Sequence, residues 1–115
     1  MRIERDALGV VSIHAGNEAD AARALGYVHG QERYFEMDLL RRSAAGELSE
    51  LFGEIAIEKD KSIRVHRLRA RVAQNLEAIA GGKMPVLSAY TEGVNAGLGT
   101  LRARPWPYLL LGAQP

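Results

Sequence analysis

The chain has 115 residues, 47% of them hydrophobic, no cysteine, and a formal net charge of +1 from fifteen Lys and Arg against fourteen Asp and Glu. That length supports one domain with a single core, and the near-neutral balance creates no field that would single out nucleic acid, an anionic membrane or an acidic ligand as partner. The lack of cysteine excludes disulfides, a thiol nucleophile and a thiolate metal site.

Met1 to Asp6 does not show the basic-then-apolar pattern of a secretory signal, and no apolar run approaches the roughly 20 residues a membrane helix requires. The expectation is a cytosolic protein or one whose leader is missing, with no membrane partner. Arg2 to Arg5 and Val10 to Ala15 flank Asp6-Ala7-Leu8-Gly9, where Asp first and Gly fourth suit a type I turn. Residues 1–15 therefore read as a β-hairpin, with Val11, Ile13 and Ala15 on one face and Val10, Ser12 and His14 on the other.

Asn17-Glu18-Ala19-Asp20 supplies a helix N-cap followed by acidic residues that suit the helix dipole. A single long helix is predicted over residues 17–45, with Leu25, Val28, Phe35 and Leu39 as one apolar stripe and Gly46 as its C-cap. Glu32 falls on that stripe. Gln31, Glu32 and Arg33 are thus expected as a polar knot inside an apolar interface, where one unpaired group costs about 1–3 kcal/mol.

Further helices are expected through residue 104. Glu47 to Phe52 suits a brief helix closed by Gly53, while Ile55 and Ile57 alternate for too few residues to choose between strand and turn. From Val65, the residues Leu68, Val72, Leu76 and Ile79 recur at helical spacing until Gly81-Gly82, and Pro85 suits the first turn of a last helix carrying Leu87, Tyr90, Val94 and Leu98. Ala89, Gly93 and Gly97 of that helix sit four apart, a stripe that makes sense where another backbone approaches closely. Arg104-Pro105-Trp106-Pro107 is read as non-helical, and residues 105–115 as a Pro-rich tail whose Tyr108 to Leu111 run awaits a partner. The fold class is α+β: mainly helical, with an N-terminal hairpin.

Serine catalysis needs a base within hydrogen-bond reach. Ser12, Ser43, Ser49, Ser62 and Ser88 stand with His14, His29 and His66, and none lies in a Gly-x-Ser-x-Gly elbow. His29, Glu32 and Glu36 share a helical face and could be ligands, but the Glu-x-x-His order of dinuclear carboxylate sites is reversed and occurs once, so local bonding, Glu36 with Arg33 for example, is the better reading. Lys59, Lys61, Arg64, Arg67, Arg69 and Arg71 form the one basic cluster. Without aromatic or glycine-rich company, the Arg64 to Arg71 face reads as solvated or as a protein-interaction surface rather than a phosphate-binding one. Gly81-Gly82-Lys83 lacks the rest of a phosphate loop. No cofactor is implied.

The stretch RDALGVVSIHAGNEADAARALGYVHGQERYFEMDLLRRSAAGELSELFG, Arg5 to Gly53, resembles the N-terminal part of the α chain of penicillin amidase family acylases. The likeness extends through Lys59-Asp60-Lys61 with Arg64, Tyr90 with Glu92-Gly93-Val94-Asn95-Ala96, and Leu111-Gly112. It departs at Gly9-Val10-Val11-Ser12-Ile13, where the family usually has Gly-Val-Pro-His-Ile, and at Gly97, where a larger residue is typical.

The resemblance implies an N-terminal nucleophile hydrolase with an αββα sandwich, made as one precursor that cuts itself into α and β chains. It implies amide hydrolysis on acylated substrates, such as β-lactam side chains or acyl-homoserine lactones, by a serine at the start of the β chain whose own α-amine is the base. A periplasmic location follows from the same likeness. This sequence begins at Met1 and contains no Gly-Ser dipeptide, so no catalytic, cofactor or metal residue is carried over. The expected partner is the β chain of the same precursor, and a homo-oligomer is expected of the chain alone.

Overall fold

Arg2–Arg5 (β1) and Val11–His14 (β2) pair antiparallel, with Ile3 opposite Ile13 and Arg5 opposite Val11. The turn is organised by Asp6, whose carbonyl accepts from the Gly9 N–H at 3.1 Å and whose Oδ1 accepts from the N–H groups of Leu8 and Val10, each at 2.9 Å. Gly9 takes a left-handed φ of +83°, open to glycine without steric cost. Val11 and Ile13 are half-buried and Ser12 and His14 exposed, the alternation the sequence predicts, while Val10 and Ala15 lie outside the strand.

The structure, a computed structural model, describes residues 1–115 and resolves them into two compact units, Met1–Arg33 with Ala80–Arg102 and Tyr34–Ile79 with Ala103–Pro115. The buried apolar residues Ala24, Val28, Ala89 and Val94 belong to the first unit and Leu51, Ala56 and Tyr108 to the second. The chain first passes from one to the other after Arg33. The predicted 17–45 helix is two helices, Glu18–Glu32 (α1) and Tyr34–Ala45 (α2), because Arg33 leaves helical geometry at φ −127°, ψ 16° while its N–H still closes on the His29 carbonyl at 2.8 Å. Asn17 caps α1 as predicted, its Oδ1 accepting from the Asp20 N–H at 2.8 Å.

In the first unit α1 lies against Met84–Gly99 (α6), in whose first turn Pro85 sits. Lys83 bonds Glu18 at 2.9 Å at one end and Gln31 bonds Thr100 at 3.0 Å at the other, so the two helices run in the same direction. Their contact is glycine on backbone from both sides. A Cβ on Gly93 would lie 2.0 Å from the Arg23 carbonyl oxygen and one on Gly97 2.1 Å from that of Tyr27. Reciprocally, a Cβ on Gly26 would lie 2.2 Å from the Tyr90 oxygen and one on Gly30 2.3 Å from that of Val94. At that approach glycine Cα–H groups face carbonyls across the interface, a recurring weak attraction between helices. Ala24, Val28, Ala89 and Val94 fill the remainder of the buried face. Leu25, expected on the stripe, is 42% exposed, because a crossing this close admits only small side chains.

In the second unit, Gly46 ends α2 with φ +70°, as predicted. Ser49–Phe52 (α3), a 3₁₀ turn at Gly53–Ala56, Ile57–Arg64 (α4) and Leu68–Ala80 (α5) follow. Asp60 of α4 is 3% exposed and caps α3, accepting from the N–H groups of Leu48 at 2.9 Å and Ser49 at 2.7 Å. The helix expected from Val65 starts only at Leu68, since α4 ends at Arg64 and Arg67 adopts a left-handed φ of +52°.

Trp106–Leu111 forms a further helix (α7), which corrects the reading of residues 105–115 as a tail. Pro107 is tolerated because it occupies the first turn, where its missing N–H would have had no partner. Gly112 closes α7 in the left-handed region, and the Ala113 N–H reaches back to the Tyr108 carbonyl at 3.0 Å.

Candidate functional site

The most buried polar chemistry of the chain sits between α2 and α7. Helical spacing puts Asp38, Arg41 and Arg42 on adjoining turns of α2, and the short α7 delivers Tyr108, which is fully buried. Asp38 Oδ2 accepts from the Tyr108 hydroxyl at 2.5 Å and from Arg42 Nε at 2.8 Å, while Oδ1 accepts from Arg41 Nε at 2.9 Å. Arg42 also pairs with Glu50 and reaches the Gln114 carbonyl at 3.5 Å. Phe35 meets the Tyr108 ring edge-on with centroids 5.3 Å apart.

Burial pushes the Asp38 carboxyl up, but the hydrogen bonds from Tyr108, Arg42 and Arg41 outweigh it and hold the group below the usual carboxylate range. The Tyr108 hydroxyl is pushed well above the usual phenol range, first by burial and then by its bond to Asp38. An ionised carboxylate with its oxygens occupied and no exposed side-chain surface is a poor proton acceptor for any substrate. The cluster fixes α7 to α2 and leaves no reactive atom open.

Asp60 is also held low: burial raises it, and the Ser49 side chain, the N–H groups of Ser49 and Leu48 and the charge of Arg64 more than compensate. Both depressed carboxylates stabilise the fold fully above the unfolded carboxylate value of about 3.9, and that contribution is lost as pH falls through their lower folded values. Acid titration followed by far-ultraviolet circular dichroism should show helix lost below about pH 4, with a shallower limb in Asp38→Asn. A limb unchanged by that substitution would remove Asp38 as its cause.

The structure scatters the residues singled out by sequence. Glu32 and Arg33 are exposed rather than buried, Glu32 pairs with Arg5, and Gln31 bonds the Tyr27 hydroxyl at 3.2 Å, so the expected polar knot is instead the polar end of a helix. His29 Nδ1 lies 2.9 Å from the Tyr90 hydroxyl, and His14 Nε2 lies 3.2 Å from Glu4. No serine hydroxyl is hydrogen-bonded to a histidine, and no three His, Asp or Glu side chains are grouped to hold a metal ion. Arg64, Arg67 and Arg71 of the basic cluster do not belong to one helix: Arg64 ends α4 and bonds the Gly46 carbonyl at 2.7 Å, Arg67 lies in the turn, and Arg71 belongs to α5. Arg69 is bidentate on Glu47. Gly81 and Gly82, both at positive φ, form the turn between α5 and α6. No helix is long and apolar enough to cross a membrane.

Sequence reasoning missed Asp38 and Tyr108 as a pair, since nothing local links residues 70 positions apart. It also missed Gly26 and Gly30, whose spacing of four repeats that of Gly93 and Gly97 and was the available signal.

A family model described as penicillin amidase matches residues 1–115. The chain is 42% identical over all its 115 residues to a penicillin acylase 2 proenzyme of Pseudomonas sp. strain SE83, of which it covers 15%. Over 91% of its length it is 30% identical to the penicillin G acylase of Escherichia coli, covering 12% of that protein. Over 82% it is 38% identical to the acyl-homoserine lactone acylase QuiP of Pseudomonas aeruginosa, covering 11%. Its fold matches the thermostable penicillin G acylase from Alcaligenes faecalis with a TM-score of 0.81 at 26% identity, over 99% of this chain and 63% of that one. The chain thus spans less than a fifth of each of these curated relatives.

Proposed function

The chain belongs to the penicillin amidase family, and on that premise we propose that it is the N-terminal α-chain portion of an acylase that hydrolyses the amide bond of acylated substrates, either β-lactam side chains or acyl-homoserine lactones. Its part in the activity is structural. The observation that carries this reading is the combination of full-length similarity to named acylases with coverage of only 15% and 12% of two of them.

The catalytic groups lie in the remainder of such an enzyme, and the partner of this chain is the β chain of the same precursor. The internal polar chemistry supports that division: Asp38, Arg42 and Asp60, the buried charged groups, are committed to helix packing and capping. Deprived of its partner, the chain is inactive and self-associates.

The test is an assay of the purified 115-residue polypeptide against a phenylacetyl amide and against an acyl-homoserine lactone, in an expression host lacking endogenous acylase. No turnover above buffer is expected with either. Turnover that scales with the polypeptide and survives repurification would place the nucleophile inside these residues and overturn the proposal.

A further inference from the structure

Beyond α7 the chain is irregular, yet each peptide plane from Gly112 to Pro115 carries a hydrogen bond. The Ala113 N–H donates to the Tyr108 carbonyl at 3.0 Å, and the Ala113 carbonyl accepts from Arg104 Nη1 at 2.5 Å. The Gln114 carbonyl accepts from Arg42 Nη2 at 3.5 Å, the outer limit of such a bond. Those three groups lie on successive planes, so the two soft dihedrals of Ala113 and of Gln114 are bracketed between planes that are tied down. Gly112 before them is set in the left-handed region. Pro115 after them has its φ locked by its ring and biases Gln114 towards extended geometry.

α7 is already held by other bonds. The Tyr108 hydroxyl ties it to Asp38, and Gly112 with the Ala113 N–H closes its C-terminal end. Gln114 and Pro115 are exposed, so no burial orders them, and a segment of that kind is ordinarily loose unless tied down. Arg42 is itself fixed before it reaches the backbone: it is 8% exposed, bonded to Asp38 and paired with Glu50. Arg104 stands in the loop before α7 and clasps the loop after it, closing residues 104–113 on themselves.

We propose that Arg42 and Arg104 are positioning residues for the chain that leaves α7. They set the direction of the backbone at Pro115, so that in the precursor the next part of the α chain starts preorganised. This rests on the reading of the chain as the N-terminal portion of an acylase α chain, and it adds which side chains fix the connection to the rest.

The experiment places a nitroxide label at Gln114→Cys. The native chain has no cysteine, and the Gln114 side chain is exposed while its bonded atom is the backbone carbonyl, so the label reports backbone motion without removing the contact. In electron paramagnetic resonance of the 115-residue chain the spectrum should be dominated by an immobilised component that is independent of protein concentration. Arg104→Gln in that background should convert most of that component to a mobile one. The fluorescence anisotropy of Trp106 should stay unchanged, because Tyr108 and Asp38 still hold its helix. Arg102→Gln, exposed and two positions earlier, should alter neither reading.

A label already mobile in the otherwise native chain, or one unmoved by Arg104→Gln, would overturn the proposal. So would an immobilised component lost on dilution, which would assign the order to contact between copies. A parallel fall in Trp106 anisotropy would overturn it too, by making Arg104 a support of α7 instead of its exit. The amide assay tests the α-chain reading separately: turnover there, with the label still immobilised, would remove the precursor and leave the clasp.

Discussion

Gly93→Val should abolish the docking of α1 on α6, costing more than about 3 kcal/mol in urea denaturation followed by circular dichroism at 222 nm. The first added carbon would lie 2.0 Å from the Arg23 carbonyl oxygen and 2.9 Å from the Tyr27 nitrogen. Both are backbone atoms of α1, so no rotamer change relieves the overlap and the helices must part. Parting them also separates the reciprocal contacts at Gly26, Gly30 and Gly97. Even Gly93→Ala should destabilise, although alanine is the better helix former by about 0.8–1.0 kcal/mol.

Gly99→Ala is the control. It lies in the last residue of the same helix, where an added Cβ meets nothing within 4 Å, and it should be neutral or slightly stabilising. Helix propensity alone gives both alanine variants the same sign, whereas the packing gives them opposite signs. Equal, stabilising effects at positions 93 and 99 would show that the helices are not in backbone contact.

The second large effect is expected at Asp38. Asp38→Ala removes the acceptor of the Tyr108 hydroxyl, of Arg42 Nε and of Arg41 Nε, leaving a guanidinium that is 8% exposed with a single acidic partner, Glu50. Breaking a buried pair by deleting one member costs about 3–5 kcal/mol. Tyr108→Phe deletes one hydrogen bond to a charged group and should cost about 1.5–3 kcal/mol.

The double variant should cost clearly less than the sum of the two, because both remove the same bond. The single tryptophan, Trp106, is in the same helix as Tyr108, so its fluorescence anisotropy should fall in Asp38→Ala as α7 is released. Additive losses, or an unchanged anisotropy, would mean that α7 is held by something other than this carboxylate.

Local signals were legible where the responsible atoms lie close in sequence. Asn17 caps α1 because an amide oxygen three residues ahead of an N–H needs no tertiary help, and Gly9, Gly46 and Gly53 take positive φ at the turn and helix ends predicted for them. The resemblance read from Arg5 to Gly53 led to the right family. The long helix failed at Arg33, since the three-and-four spacing of Leu25, Val28, Phe35 and Leu39 runs through a break that no proline or glycine marks. Residues 105–115 were misread for the opposite reason: two prolines suggested a tail, yet one precedes a helix and the other sits in its first turn.

By itself, then, the sequence determined the hairpin alternation, the caps and turns, and membership of an acylase family, all of which depend on side chains acting on their own neighbourhood. Only the tertiary structure decided which faces are buried. The glycine crossing selects small residues over Leu25, and Asp38 becomes a core residue only because Tyr108, 70 positions later, supplies the hydroxyl that makes burying its charge tolerable.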